Sequence, residues 1–214
     1  RCHLALLYIG MEYGLTNNPK FAEKFFKEAL EIAPDNPFVL HELGVVAFNN
    51  TEYLTAEVYL RRAVAVVEES GVVVVPEKWS ALLNNLAHTC RKLQKYDEAL
   101  HFHQQALRLC PGVWSTYSAL GLVQALLGDY EAAVVSLHKA LSLHRDDTTA
   151  TTLLTTVMDQ LMSQTPAFQG EDNVPTLDLP DELGSIDSNT SGVTPSITCD
   201  TLSDSNILGN SIGN

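Results

Sequence analysis

Several common functional patterns are missing from this chain of 214 residues. It has no CxxC or HxxxH pair, the ligand spacings typical of zinc sites. No Lys or Arg follows Arg145, and the net charge is −13, so the chain offers no extended basic surface for phosphates. No apolar run approaches the roughly 18 residues that a membrane span needs. We therefore predict no metal site, no nucleic-acid partner and no membrane segment.

Catalytic patterns are missing as well. There is no Gly-rich phosphate loop, no G-x-S-x-G and no H-E-x-x-H sequence. His101 and His103 are only two residues apart, so on a helix they point to different sides. Cys110 lies two helical turns beyond His103, or about 10 Å along the axis. The sequence therefore predicts a protein that is not an enzyme and has no cofactor.

The cysteines and the first residue bear on the cellular context. Cys2, Cys90, Cys110 and Cys199 are widely scattered in a chain that is too long for a small disulfide scaffold, which favours a reducing compartment. Because the chain opens at Arg1 rather than Met, we expect it to be a fragment of a longer protein.

What the sequence does contain is a repeat. Small residues recur in three series whose successive members are separated by 34, 43 and 34 in residue number. These separations correspond to a period of about 34 residues with one insertion of nine. A small side chain at each of these positions allows two antiparallel helices to approach closely. His103 takes a position that large apolar residues fill in the other units, so we predict a packed core histidine. The three series are Gly10, Gly44, Ala87, Gly121; Ala22, Ala56, Ala99, Ala133; and Ala29, Ala63, Ala106, Ala140.

The pattern predicts helix pairs. Asn18-Pro19 and Asn36-Pro37 are typical of an N-cap followed by proline in the first turn. The small, aromatic and proline positions resemble those of the tetratricopeptide repeat. This resemblance implies an all-α, right-handed superhelix, or α-solenoid. The predicted domains are an array over 1–163, made of units 3–36, 37–70, 80–113 and 114–147 with a capping helix over 148–163, and a disordered acidic tail over 164–214.

The conformation of residues 71–79 is not determined by the sequence. The segment "GVVVVPEKW" supplies the insertion between the second and third units. Its valines are compatible with an extension of a helix and with an extended crossing, and both alternatives stay open.

First-helix residues of such a superhelix line its concave surface, which suits a peptide with hydrophobic anchors and backbone hydrogen bonds. The alternative is that an apolar first-helix residue packs only on its own neighbours. An adaptor for a chaperone or another peptide is a second hypothesis, although a clamp for a terminal carboxylate needs several cations and the groove offers only Arg91 and Lys92. The candidate partner-binding residues are Leu7, Met11, His41, Val45, Phe48, Asn84, Asn85, His88, Arg91, Ser118 and Leu122.

Longer stretches carry a closer resemblance. "LLNNLAHTCRKLQKYDEALHFHQQAL", "STYSALG" and "HKALSLHRDD" are similar to the C-terminal repeats of the cell division cycle protein sixteen family, a scaffold subunit of the anaphase-promoting complex. The resemblance covers about residues 1–157 and includes Glu12, His41, Asn84, Asn85 and Arg91. It implies a non-catalytic, nuclear and cytoplasmic scaffold of this cell-cycle ubiquitin ligase. Its groove would hold the N-terminal segment of a small partner subunit, and the homodimerisation repeats would lie outside this chain.

Overall fold

The computed structural model describes residues 2–70 and 76–164, and within these ranges it contains nine α-helices and no strand. None of these helices is both long enough and apolar enough to cross a membrane. The predicted disordered tail lies outside the described residues, apart from its first position at the end of the last helix. The helices are α1 His3–Leu15, α2 Pro19–Ile32, α3 Pro37–Asn49, α4 Tyr53–Ser70, α5 Pro76–Lys92, α6 Tyr96–Leu109, α7 Trp114–Leu126, α8 Tyr130–Leu143 and α9 Thr148–Gln164.

The first eight helices form four stacked pairs. α1 packs on α2, α3 on α4, α5 on α6 and α7 on α8, and each second helix also contacts the first helix of the next pair. α9 follows α8 and covers its apolar side, since Ala150 and Val157 share a buried cluster with Ala133, Leu137 and Ala140. The predicted all-α stack of helix pairs with a capping helix is confirmed.

The small residues lie where first and second helices touch. A Cβ atom added to Gly44 would come within 2.6 Å of Leu60 Cγ, and one added to Gly121 within 2.7 Å of Leu137 Cγ. These distances are far shorter than the roughly 3.5–4.0 Å of a normal carbon–carbon contact. His103 is fully buried, with 0% of its surface exposed, so the prediction of a core histidine is confirmed.

The turn inside each helix pair repeats a left-handed backbone conformation. Asn17, Thr51, Gln94 and Gly128 have φ angles of 57°, 64°, 61° and 81°, and they follow one another at the same spacing as the small residues. In each turn, the N–H of the following residue donates to a carbonyl near the end of the first helix. This bond closes the helix C-terminus and reverses the chain.

The two predicted N-caps differ. Asn36 Oδ1 accepts hydrogen bonds from the N–H groups of Phe38 (3.0 Å) and Val39 (3.2 Å), which confirms the cap of α3. Asn18 occupies the N-cap position of α2, but its side chain makes no capping bond. Its amide nitrogen instead donates to the Thr16 carbonyl at 3.1 Å. The predicted N-cap position of Asn18 and the proline in the first turn are therefore confirmed, but the Asn18 side chain makes no capping hydrogen bond.

The insertion lengthens the helices on both sides of it. α4 has 18 residues whereas α2, α6 and α8 have 14, and α5 has 17 residues whereas α1, α3 and α7 have 13. The inserted residues thus extend two helices as far as Ser70 and from Pro76 onward, and residues 71–75 lie outside the described residues.

Candidate partner-binding face

The first helices of the four pairs form one continuous face. α1 contacts α3, α3 contacts α5 and α5 contacts α7, in addition to the contacts within pairs. Side chains on this face therefore come from units that are distant in sequence. All the predicted partner-binding residues lie on these four helices.

Four of the predicted residues are buried, namely Asn85 and His88 on α5 and the two described next. Leu7 is 5% exposed and packs in the apolar cluster that includes Ala22, Phe26 and Val39. Ser118 is 1% exposed, and its hydroxyl donates to Asp147 Oδ2 at 2.6 Å. In this conformation neither side chain is accessible to a partner.

Asp147, the acceptor of Ser118, is the N-cap of α9. Its Oδ1 atom accepts hydrogen bonds from the N–H groups of Thr149 (3.0 Å) and Ala150 (3.1 Å). Ser118 therefore connects α7 to the start of the capping helix. This contact gives Ser118 a structural role.

The apolar candidates that remain accessible are Met11, Val45, Phe48 and Leu122, all of them half-buried. Phe48 meets the ring of Tyr53 edge to face, with 5.3 Å between the centroids. An aromatic ring that is supported on one side and open on the other is a suitable anchor for an apolar ligand group.

Asn84 is half-buried and already hydrogen-bonded at both ends of its amide. Its nitrogen donates to Thr116 Oγ1 at 2.6 Å, and its oxygen is 2.9 Å from His103 Nδ1. Because the amide nitrogen faces Thr116, the oxygen accepts from His103, and this places the proton of the neutral imidazole on Nδ1. Asn84 thus links α5 to α6 and α7, which the sequence did not reveal.

His41 and Asn85 form a second link, between α3 and α5. Asn85 is 6% exposed, and its amide nitrogen is 2.8 Å from His41 Nε2. His41 Nδ1 is 3.2 Å from the Glu42 carboxylate. With Nδ1 donating to the carboxylate, Nε2 accepts from Asn85, so one tautomer satisfies both contacts.

His88 and Arg91 stand one turn apart on α5, and both carry nitrogen atoms without partners. His88 Nδ1, Arg91 Nε and the neighbouring His103 Nε2 are buried and make no hydrogen bond. The rings of His88 and His103 pack edge to face at 5.0 Å. Burial, with smaller effects of Arg91 and Lys92, lowers the pKa of His88 from 6.5 to about 3, so this ring is neutral.

Sequence reasoning missed Thr116 as part of this network. A signal was present, because Val39 and Leu82 occupy the equivalent positions of the second and third units, whereas the fourth unit has a hydroxyl there. Thr116 is 2% exposed and accepts the hydrogen bond of Asn84. A polar residue in a slot that is otherwise apolar indicates a buried hydrogen bond.

On another side of α5, Glu57, Cys90 and Glu98 come close enough together to hold a metal ion. The chemistry does not fit one. Although burial opposes the charge of Glu57, hydrogen bonds from Lys95 and Arg61 lower the pKa of its carboxyl. Burial raises the pKa of the Cys90 thiol to about 11, which keeps it protonated. We interpret this cluster as an ion-pair network that joins the second and third helix pairs.

Comparison with known proteins shows the repeat family to which the chain belongs. The tetratricopeptide repeat family matches residues 3–36 and again residues 80–146. The chain is thus a tetratricopeptide-repeat protein, and more narrowly it belongs to the cell division cycle protein 16 family.

The relatives support this assignment. The human cell division cycle protein 16 homolog is 52% identical over 171 residues, which are 80% of this chain and 28% of the relative. Anaphase-promoting complex subunit 6 of Arabidopsis thaliana is 40% identical over 153 residues, which are 72% of this chain and 27% of the relative. This chain therefore spans less than a third of the length of these relatives.

A solved structure shows the same fold. A chain in the crystal structure of the APC/C hetero-tetramer Cut9-Hcn1 superimposes with a TM-score of 0.70 at 28% identity. The match covers 74% of this chain and 30% of that chain.

Proposed function

We propose that this chain is part of a non-catalytic scaffold subunit of the anaphase-promoting complex, and that the face made by its first helices binds the N-terminal segment of a small partner subunit. The observation that carries the proposal is the similarity to a chain of the Cut9-Hcn1 complex. Hcn1 is the partner named in that structure, and we use its N-terminal segment as the probe for this chain.

The chemistry of the face supports a peptide ligand. Met11 on α1, Val45 and Phe48 on α3, and Leu122 on α7 leave part of their apolar surface open. Polar side chains lie on the same face, on α5. The guanidinium of Arg91 is charged, and it forms no ion pair with a carboxylate of the described residues. An extended peptide presents side chains and peptide groups in alternation. A face that binds it therefore needs apolar side chains for the first and hydrogen-bond donors for the second.

Phe48 is the most informative position at which to test peptide binding by substitution. Aromatic anchors are prominent among the residues whose truncation costs a complex about 2 kcal/mol or more. We expect Phe48→Ala in the full chain to weaken binding of a synthetic Hcn1 N-terminal peptide by about tenfold or more, measured by calorimetric titration. Leu54→Ala is the matched control, because Leu54 is 69% exposed on the second helix α4.

Asn84→Ala is a poor test of binding alone. This change would leave Thr116 and His103 without their partner inside the array, which would lower stability at the same time. Its binding result is therefore interpreted only beside a melting curve.

The outcomes separate the two candidate functions. Equal affinity of the Phe48→Ala and Leu54→Ala variants would place the ligand on another surface. If the Hcn1 peptide does not bind, while a peptide with a free C-terminal carboxylate from a chaperone does, the chain acts as a general tetratricopeptide adaptor.

A further inference from the structure

We propose that the crevice between the first and second helix pairs binds the ammonium group of a lysine side chain from a partner protein. This first crevice is a cavity of about 70 Å³ between α2, the end of α3 and the start of α4. A single water needs about 10–15 Å³ of such volume, so the cavity has room for the end of a side chain. None of its lining residues is among the candidate partner-binding residues, so it is a second surface.

The first crevice has an apolar floor and a charged rim. Leu43 and Val46 are buried at its floor. At the rim, Lys27 Nζ pairs with Glu23 Oε1 at 2.5 Å. The carboxylate of Glu52, also at the rim, makes no ion pair or hydrogen bond within residues 2–70 and 76–164. Two carboxylates therefore share this crevice with one ammonium group.

The second crevice, between the second and third helix pairs, shows how such a rim is neutralised. The repeat spacing places Glu57 at the position equivalent to Glu23, and Lys95 at the position equivalent to Glu52. Lys95 Nζ donates to Glu57 Oε1 at 2.6 Å and to Oε2 at 2.8 Å. In this equivalent geometry, an ammonium group thus lies where the first crevice has a second carboxylate.

The charges of the second crevice are balanced, whereas those of the first are not. Arg61, the counterpart of Lys27, pairs with Glu57 and with Glu98. Together with Lys95, it gives the second crevice two cations for two carboxylates. The first crevice has the same number of carboxylates but one cation fewer. One additional cation would therefore complete the pattern of charges that the fold itself uses.

The third crevice, between the third and fourth helix pairs, is closed by neutral groups. Ser136 Oγ donates to Gln124 Oε1 at 2.6 Å. These two residues are the counterparts of Tyr59 and Ala47 of the first crevice, where no such bond can form because Ala47 has no polar side-chain atom. The first crevice is thus neither bridged like the third nor neutralised like the second.

A partner protein is the source of the missing cation. The tail of this chain does not supply it, because no Lys or Arg follows Arg145. The net charge of −13 favours the approach of a basic partner. A lysine has an apolar stem that can lie on Leu43 and Val46 while its compact ammonium group reaches Glu52. The ammonium group of Lys95 in the second crevice indicates lysine rather than arginine.

The test is an NMR titration of the full, ¹⁵N-labelled chain with the peptide acetyl-Gly-Lys-Gly-amide. We expect saturable shifts of the backbone amides of Asn50, Glu52 and Thr55, and no saturable shift with the same peptide acetylated at the lysine Nζ. Glu52→Gln should weaken binding about fivefold, the upper range for one exposed ion pair. Glu31→Gln, at an exposed carboxylate near the end of α2, is the matched control and should leave the affinity unchanged.

Glu52→Lys should abolish binding, because it places an ammonium group in the first crevice as Lys95 does in the second. Circular dichroism of each variant shows that the fold is retained. Equal binding of the acetylated peptide, or unchanged binding to the Glu52→Lys variant, would overturn the inference. Tighter binding of the matching arginine peptide would overturn the assignment of an ammonium ligand. None of these measurements involves the Hcn1 peptide, so failure here and failure of the proposed function are distinguishable.

Discussion

Two glycines in first helices should respond in opposite ways to the same mutation. Gly44 in α3 faces Leu60, and a Cβ atom there would lie 2.6 Å from Leu60 Cγ and 2.7 Å from Cδ2. Gly14 in α1 has nothing within 4 Å of the same position. Both residues are helical, so Ala improves the intrinsic helix propensity at both sites by up to about 1 kcal/mol.

Packing decides whether Gly44→Ala raises or lowers the free energy of unfolding. Leu60 is 0% exposed, so its side chain has no open space into which it could retreat. Overpacking of this kind typically costs about 1–3 kcal/mol. After the gain in propensity is subtracted, we expect Gly44→Ala to lower the free energy of unfolding by up to about 2 kcal/mol and Gly14→Ala to raise it by up to about 1 kcal/mol.

Urea unfolding of the full chain, followed by far-ultraviolet circular dichroism, measures both values. The gap between the two variants isolates the overpacking cost, because the propensity gain is common to both. A change of about 1 kcal/mol corresponds to about 2–4 °C in melting temperature for a chain of this size. If Gly44→Ala stabilised the protein as much as Gly14→Ala, the close contact between α3 and α4 would not exist as described.

Three other changes are expected to alter stability. Thr51→Gly should raise the free energy of unfolding by about 1 kcal/mol, because Thr51 holds φ at 64° where L-residues are strained; an unchanged melting temperature would contradict this. Glu57→Gln should cost about 1 kcal/mol in urea titrations at low salt, since it removes the ion-pair partner of Lys95 and leaves Arg61 with Glu98 alone, although both cations are about 40% exposed; a neutral effect would show that the ion pairs of Glu57 contribute nothing. The folded-state pKa of His88 is about 3 and lies below its ordinary 6.5, so the unfolded chain binds this proton more readily. The contribution of His88 to stability is therefore full above about pH 6.5 and falls towards pH 4 by up to about 1.4 kcal/mol per pH unit, and buried His103, whose pKa is also lowered by burial, adds a fall of the same sign; His88→Gln should reduce the total slope without abolishing it, and an identical slope would contradict the assignment.

The repeat period explains why much of the fold could be predicted. Close helix packing requires small side chains at fixed positions, and these positions are visible in the sequence as Gly44, Gly121 and their equivalents. The same spacing appears in the backbone, where Thr51 and Gln94 adopt left-handed conformations at corresponding turns. Asn18 takes the predicted N-cap position, but its amide bonds to Thr16 rather than capping α2, a choice between two local partners that the sequence does not distinguish.

The candidate site was predicted less completely. Its location on the first helices follows from the repeat, but the accessibility of each side chain does not. Leu7 and Ser118 occupy positions that resemble those of open groove residues, and yet one packs in a core cluster and the other bonds to Asp147. These contacts depend on how neighbouring helices pack, and the period does not encode that packing.

The sequence by itself determined that this protein is a stack of helix pairs, because helix periodicity and small residues at the contacts are local requirements that every unit must satisfy. Only the tertiary structure decided which polar groups are satisfied. The hydrogen bonds of Asn84 to Thr116 and of Asn85 to His41 join residues 32 and 44 positions apart. The same packing leaves nitrogen atoms of His88 and Arg91 buried without partners. Hydrogen bonding depends on distances of a few tenths of an ångström between helices of different units, and such distances arise only when the whole array has assembled.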